Sequence, residues 1–176
     1  MSPRVVFVGA PGAGKSTVGR RVAERLRLPF ADSDALVEQR VGKPVADIFI
    51  SDGEEEFRRL EREVIAGALD EFAGVLSLGG GAILDDTTRK SLHDQCVVWL
   101  QVDLGNATQR VGMNSARPLL LGNVRGTMLT MLEKRTPLYE QVARYTIDTS
   151  GLSVKDVVAR AVSIIERHRT VEEESA

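Results

Sequence analysis

The sequence predicts a single α/β domain with a mainly parallel sheet. Short apolar and β-branched runs alternate along the chain with segments of helical period. A glycine-rich stretch, Gly9-Ala-Pro-Gly-Ala-Gly-Lys-Ser16, sits between the first such run and the first such segment. The length of 176 residues, with 43% hydrophobic and 27% charged, suits one globular unit with a substantial core. No internal repeat, linker or domain boundary is visible.

The first strand is Val5-Val6-Phe7-Val8, and it runs directly into the glycine stretch. The helix that follows places Val18, Val22 and Leu26 on one face. A second short strand covers Phe30-Ala31 and ends at Asp32-Ser33-Asp34. A helix with Leu36, Val37 and Val41 ends near Gly42, and Val45 to Phe49 forms a short helical piece before an Asp52-Gly53 turn. A longer helix runs from about Glu54 to Leu69. Val75 to Leu78 is a strand that stops at Gly79-Gly80-Gly81. Asp85 to Leu92 is helical, and Val97 to Val102 reads as a strand buried on both faces. Ala107 to Gly112 lies in a helix, Asn114 to Asn123 in a loop, and Gly126 to Arg135 in a helix. Pro137 starts or interrupts the next helical piece. Tyr145 to Thr149 is the last strand, and Ser153 with Asp156 caps a last helix carrying Val154, Val157, Val158, Ala161 and Ile165. The domain is expected to span residues 1–170, with a polar, frayed tail over 171–176.

A net charge of −2 argues against nucleic acid as partner. No apolar run is long enough to span a bilayer, and no signal sequence precedes the first strand. The single cysteine, Cys96, lies in an apolar stretch and reads as a buried hydrophobe, not a nucleophile. A cytoplasmic protein, a monomer without membrane or nucleic-acid partners, is therefore expected.

The strand, glycine loop and helix around Gly9 to Ser16 match G-x-x-x-x-G-K-[ST] in the context that the motif requires. Backbone N–H groups of such a loop, with the positive end of the helix, cradle phosphate oxygens. Lys15 would reach the β- and γ-phosphates of a nucleoside triphosphate and Ser16 would ligate Mg²⁺. Gly12, Ala13, Gly14, Lys15, Ser16 and Thr17 are the nucleotide-binding set.

Parallel sheets bind ligands beyond the carboxyl ends of their strands, where two further features fall. Asp32 and Asp34 could supply one acid to the metal's hydration shell and one to an acceptor hydroxyl, although Asp34 could instead simply cap the next helix. Gly79, Gly80 and Gly81 offer backbone without side chains, as a close-approaching anion or hydrated metal needs. On the helix after Gly53, ~100° per residue gathers Phe57, Leu60, Val64, Ile65 and Ala68 into one arc. Glu61 falls inside that arc and Arg58 at its edge. A carboxylate there needs a partner, so Glu61 is expected to pair with Arg58, either holding it toward an anionic ligand or as an ordinary helix ion pair. Arg117, mid-loop beside Pro118, has the position of a lid cation that closes over phosphates.

The sequence resembles the shikimate kinase family, particularly its actinobacterial members, over nearly its whole length. The resemblance rests on Gly9 to Thr17, Asp32-Ser-Asp34, Ile48-Phe49 with Asp52-Gly53-Glu54, Phe57-Arg58-Arg59, Leu78-Gly79-Gly80-Gly81, Arg117-Pro118-Leu119-Leu120 and Arg135-x-Pro137-x-Tyr139. It implies a P-loop, nucleoside-monophosphate-kinase-like fold: a three-layer sandwich with a five-stranded parallel sheet, a lid over about 112–124 and a substrate-binding region over about 33–61. It also implies Mg²⁺-assisted transfer of the γ-phosphoryl group of ATP to the 3-hydroxyl of shikimate, in aromatic amino acid biosynthesis. By position, Arg58, Gly80 and Arg135 would hold the shikimate carboxylate, with Gly79 and Gly81 beside them. Asp34 would bind ring hydroxyls and act as general base, and Asp32 would join Ser16 at Mg²⁺. Lys15 and Arg117 would steady the phosphoryl group, Arg110 would lie against adenine, and Phe49 and Phe57 would wall the pocket. Many relatives carry Arg and Pro in an adenine-contacting loop before the last helix. Here that stretch is Ser150-Gly-Leu-Ser153, so adenine contacts there would be mainly to backbone. Two alternatives are a kinase for another sugar acid such as gluconate, and a nucleotide-dependent binding module without transfer chemistry. Turnover with gluconate separates the first, and a complete acceptor pocket argues against the second.

Overall fold

The computed structural model describes residues 1–107 and 123–175. Five strands form one parallel sheet in the order β2-β3-β1-β4-β5: β1 (Val5–Val8), β2 (Phe30–Asp32), β3 (Val75–Ser77), β4 (Val97–Gln101) and β5 (Tyr145–Asp148). The helices are α1 (Lys15–Leu26), α2 (Ser33–Val41), α3 (Val45–Ser51), α4 (Gly53–Glu71), α5 (Asp86–Ser91), α6 (Val124–Val142) and α7 (Val154–Ser175), with residues 104–107 also helical. A 3-10 turn over Ala82–Leu84 follows β3.

The alternation of side chains along each strand builds the three layers. Val5 and Phe7 of β1 join Val98 and Leu100 of β4 in a core with Val18 and Val22 of α1 and Val157, Ala161 and Ile165 of α7. Val6, Val8, Val97 and Trp99 point the other way, onto Ile65 and Leu69 of α4 and Tyr139 of α6. All four β1 residues are buried, as a central parallel strand requires. A third, small core of Val37, Ile48, Phe57 and Leu60 joins α2, α3 and α4 to one another. That cluster gives α2, α3 and α4 a packing of their own, separate from the two cores on the sheet.

The structure differs from expectation at three element boundaries. β2 ends at Asp32, and Ser33 and Asp34 already belong to α2. Pro137 lies inside one continuous helix and neither starts nor interrupts it. An interior proline costs a helix about 3 kcal/mol, so packing must hold the turns beyond it. It does so through Tyr139, which is 1% exposed and stacks on Trp99 with ring centroids 5.7 Å apart. The last helix is not confined to the segment before Val171 but runs on to Ser175. Its start follows expectation: Ser153 Oγ accepts from Asp156 N at 3.1 Å and donates to Asp156 Oδ2 at 2.7 Å. Cys96 is buried. Among the described residues no helix is long and apolar enough to cross a membrane.

Candidate active site

β1 delivers the chain at Val8 into the glycine loop, and the loop delivers it into α1. Gly14, the residue before α1, has φ +90°, a left-handed conformation that glycine adopts without steric cost. The first turn of α1 holds no acidic residue to compete with an anion at its N-terminus. Lys15 folds back over its own loop, and its buried Nζ donates to Gly9 O at 2.7 Å and Ala10 O at 2.9 Å. The loop thus carries a cation fixed above its backbone. One residue on, Ser16 Oγ donates to Asp32 Oδ2 at 2.5 Å. The other oxygen, Asp32 Oδ1, accepts from Asp34 N at 3.0 Å, so Asp32 is the residue that caps α2. Asp34 is not the cap, and it reaches the site from the first turn of a helix, not from a strand end.

The glycine run after β3 is the meeting point of the two halves of the site. A Cβ on Gly79 would lie 2.7 Å from Glu61 Oε1 and 2.8 Å from Asp34 Oδ1, so both carboxyl groups pack on that one glycine. A Cβ on Gly80 would lie 2.8 Å from Cδ of Pro11, in the phosphate loop. A Cβ on Gly81 would collide with Nη2 of Arg58. Any side chain here would push out Asp34, the phosphate loop or Arg58. Close approach is thus what the three glycines are needed for. The run is also held by its neighbours. Gly79 N donates to Ser33 Oγ at 2.8 Å, and Tyr139 Oη donates to Gly80 O at 2.5 Å. The Gly79 N–H is therefore committed to the protein itself.

Around this run Glu61 and Arg135 are buried, and Asp34 and Arg58 are partly buried. Glu61, on α4, is 2% exposed, and Arg58 Nη1 donates to its Oε2 at 2.6 Å. Glu61 is the carboxylate that the apolar arc of α4 predicts, and its partner is the predicted one. Burial nevertheless outweighs the guanidinium: the Glu61 carboxyl is pushed up to about 7, with the nearby Asp34 charge adding to the rise. Arg135, from α6, is buried as well, and burial lowers its basicity, with the Arg58 charge acting in the same direction. The Arg58 charge thus adds to the electrostatic cost of the Arg135 guanidinium. Two such cations close together are suited to a carboxylate, which both forks can hold. Phe49 and Phe57 meet beside them with ring centroids 4.7 Å apart, and Arg58 lies over the Phe57 ring at 5.3 Å.

The structure thus brings together Asp34, Phe57, Arg58, Gly79, Gly80, Gly81 and Arg135, with Phe49 at their side, next to the loop that carries Gly12 to Thr17. Arg110 and Arg117, and the lid apart from Asn123 and Val124, lie outside the described residues. Two contributors went unassigned in the sequence. Tyr139 follows Arg135 by four residues and so shares its helix face, a signal that the helical period contains. Ser33 sits between the two acids, and nothing in its own surroundings in the chain marks it as the partner of Gly79.

A family model described as shikimate kinase matches residues 11–166. The shikimate kinase of Thermobifida fusca is 53% identical over 148 residues, covering 84% of this chain and 86% of that protein. The chain belongs to the shikimate kinase family. The activity that goes with the family, ATP-dependent phosphorylation of shikimate, is this chain's activity. A solved shikimate kinase from Acinetobacter baumannii, in complex with shikimate, superposes with a TM-score of 0.90 at 35% identity, covering 96% of this chain and 94% of that one. A gluconokinase from Sinorhizobium meliloti reaches a TM-score of 0.66 at 19% identity, covering 98% of this chain and 97% of that one, a likeness of fold alone.

Proposed function

We propose that the γ-phosphoryl group of ATP passes to the 3-hydroxyl of shikimate at the glycine run, with a division of labour among the residues above. Arg58, Gly80 and Arg135 hold the shikimate carboxylate, and Phe49 and Phe57 wall the ring. Asp34 binds the ring hydroxyls and accepts the proton of the 3-hydroxyl as its oxygen attacks the γ-phosphorus. The bond from that phosphorus to the β,γ-bridging oxygen breaks, and shikimate 3-phosphate and ADP result. Gly12, Ala13, Gly14, Lys15, Ser16 and Thr17 hold the phosphates, Arg110 lies against adenine, and Lys15 and Arg117 face the charge that spreads over the transferring group.

Ser16 and Asp32 fit Mg²⁺. Their oxygens already meet at 2.5 Å beside the loop, and hard oxygen donors of one hydroxyl and one carboxylate suit a cation that takes its remaining ligands from phosphate and water. When bound, the ion neutralises phosphate charge. We also read the protein as a cytoplasmic monomer; its single, buried cysteine can form no disulfide within the chain, which suits a reducing compartment.

One observation carries the reading. Consecutive glycines touch Asp34, the phosphate loop and Arg58, so a ring anchored by its carboxylate at Arg58 presents its hydroxyls between Asp34 and the phosphates. The test is a coupled assay with ATP and Mg²⁺ in which shikimate and gluconate compete as acceptors, with the product read by phosphorus NMR. Phosphate on the shikimate 3-oxygen, and little turnover of gluconate, is expected. Equal turnover of the two acids would refute the acceptor assignment.

A further inference from the structure

The acceptor pocket contains one carboxylate for which phosphoryl transfer has no use. Glu54 stands in the first turn of α4, directly after Gly53, whose φ is +86°. Its Oε1 lies 3.5 Å from Arg58 Nη2. Glu54 and Arg135 line the same groove, of about 630 Å³, and the Glu54 charge favours the Arg135 guanidinium that Arg58 opposes. Lys134 lines that groove as well, and the two guanidiniums beside it, Arg58 and Arg135, are met by two acids of opposite character, Glu61 and Glu54. The Glu61 side chain is 2% exposed and bound to Arg58 at 2.6 Å, so water cannot reach that contact to replace it. The Glu54 side chain is 52% exposed and its contact is long, so water can take it over at little cost.

We propose that Glu54 is a displaceable counterion of the acceptor pocket. It occupies the guanidinium surface that the substrate carboxylate takes, and it yields that surface when the substrate arrives. The proposal rests on the assignment of Arg58 and Arg135 to the shikimate carboxylate. Because Glu54 is tethered to α4, it competes at a fixed local concentration against every carboxylate in solution. It weakens them all by the same factor. Shikimate has ring hydroxyls and a ring face with which to offset the loss, whereas a bare carboxylate has only its charge. The tethered acid thus keeps small anions out of the pocket without closing it to the substrate.

The test is steady-state kinetics of Glu54→Gln at constant ionic strength, with sodium acetate exchanged for sodium chloride as the competing probe. KM for shikimate is expected to fall about three- to five-fold, the size of a partly exposed ion pair. The acetate inhibition constant is expected to fall by the same factor. Glu54→Asp, which keeps the charge but shortens the reach, should lie between wild type and Gln. Glu55→Gln removes an acid from the same helix turn that does not line the groove, and should leave both constants at their wild-type values. If Glu54 instead held Arg58 in a productive pose, KM would rise. A KM for shikimate in Glu54→Gln at or above wild type overturns the proposal, as does an acetate constant that does not follow KM. Arg58→Ala separates the two layers of the reading. If it leaves KM for shikimate unchanged, the acceptor assignment itself fails. If it raises KM while Glu54→Gln does not lower it, only the role of Glu54 falls.

Discussion

The nucleotide loop takes its residues from one stretch, positions 9–17, whereas the acceptor pocket takes Asp34 from α2, Arg58 and Glu61 from α4, three glycines from the end of β3, and Arg135 and Tyr139 from α6. The contrast extends to the groups used. At the loop the proposed recognising groups are backbone amides and one lysine, which two loop carbonyls hold. At the proposed acceptor pocket they are side-chain charges, Asp34, Arg58 and Arg135, with Arg58 held by Glu61, a buried acid whose carboxyl is pushed up to about 7. Phosphate is the same in every nucleotide, and a backbone nest recognises it from a short motif. A particular ring acid must be told from others, and this calls for charged forks fixed in position, which cost desolvation and need tertiary support.

The comparison can be broken most directly at Asp34. Asp34→Asn should lower kcat by ~10²–10⁴-fold, the usual value of general-base catalysis, while ATP binding measured by calorimetry changes little. Near-normal turnover would mean that the acceptor end supplies geometry and charge only. Next in size is Arg117→Ala. If Arg117 meets charge that develops during transfer, kcat should fall by ~10²-fold or more, and by more than ATP affinity does. A parallel loss in both would make it an ordinary ground-state contact.

Glu61→Gln sharpens the comparison by its pH dependence. The carboxyl is raised from 4.5 to about 7 on folding, so between those values the folded state holds a proton that the unfolded state has lost. Wild type therefore loses stability as pH rises through that window, by about 3 kcal/mol if the full shift applies. Glu61→Gln lacks this term. Its melting temperature should be close to that of wild type at pH 5 and should exceed it at pH 8. KM for shikimate at pH 8 should nevertheless rise, because Arg58 has lost its fixed partner. Melting curves with the same pH slope in both proteins would show that Glu61 is not the titrating group. The smallest effect belongs to Tyr139→Phe. Removing the hydroxyl leaves Gly80 O without its donor, at ~1 kcal/mol, or a few degrees in melting temperature, with a modest rise in KM for shikimate. An unchanged melting temperature would show that water replaces the phenol without loss.

The sequence by itself determined whatever depends on local geometry or on a regular period. The strand, glycine loop and helix at the nucleotide end are contiguous, so their spacing encodes the fold of that loop. The placement of Glu61 beside Arg58 follows from ~100° per residue along one helix, and the capping of α7 by Ser153 follows from a three-residue spacing. The tertiary structure alone decided three other points. It decided that Asp32 rather than Asp34 caps α2, since one carboxylate oxygen is drawn to Ser16 from another element. It decided that α6 continues through Pro137, because Tyr139 is packed on Trp99 and bonded to Gly80, and that packing outweighs the local cost of the proline. It decided that consecutive glycines each touch a different functional group, since contacts at Gly79 and Gly81 join residues far apart in the chain. Periodicity says which face of an element is buried. Which residues lie across from that face depends on how the sheet and helices pack, and the charges of the acceptor pocket take their acidity from that packing.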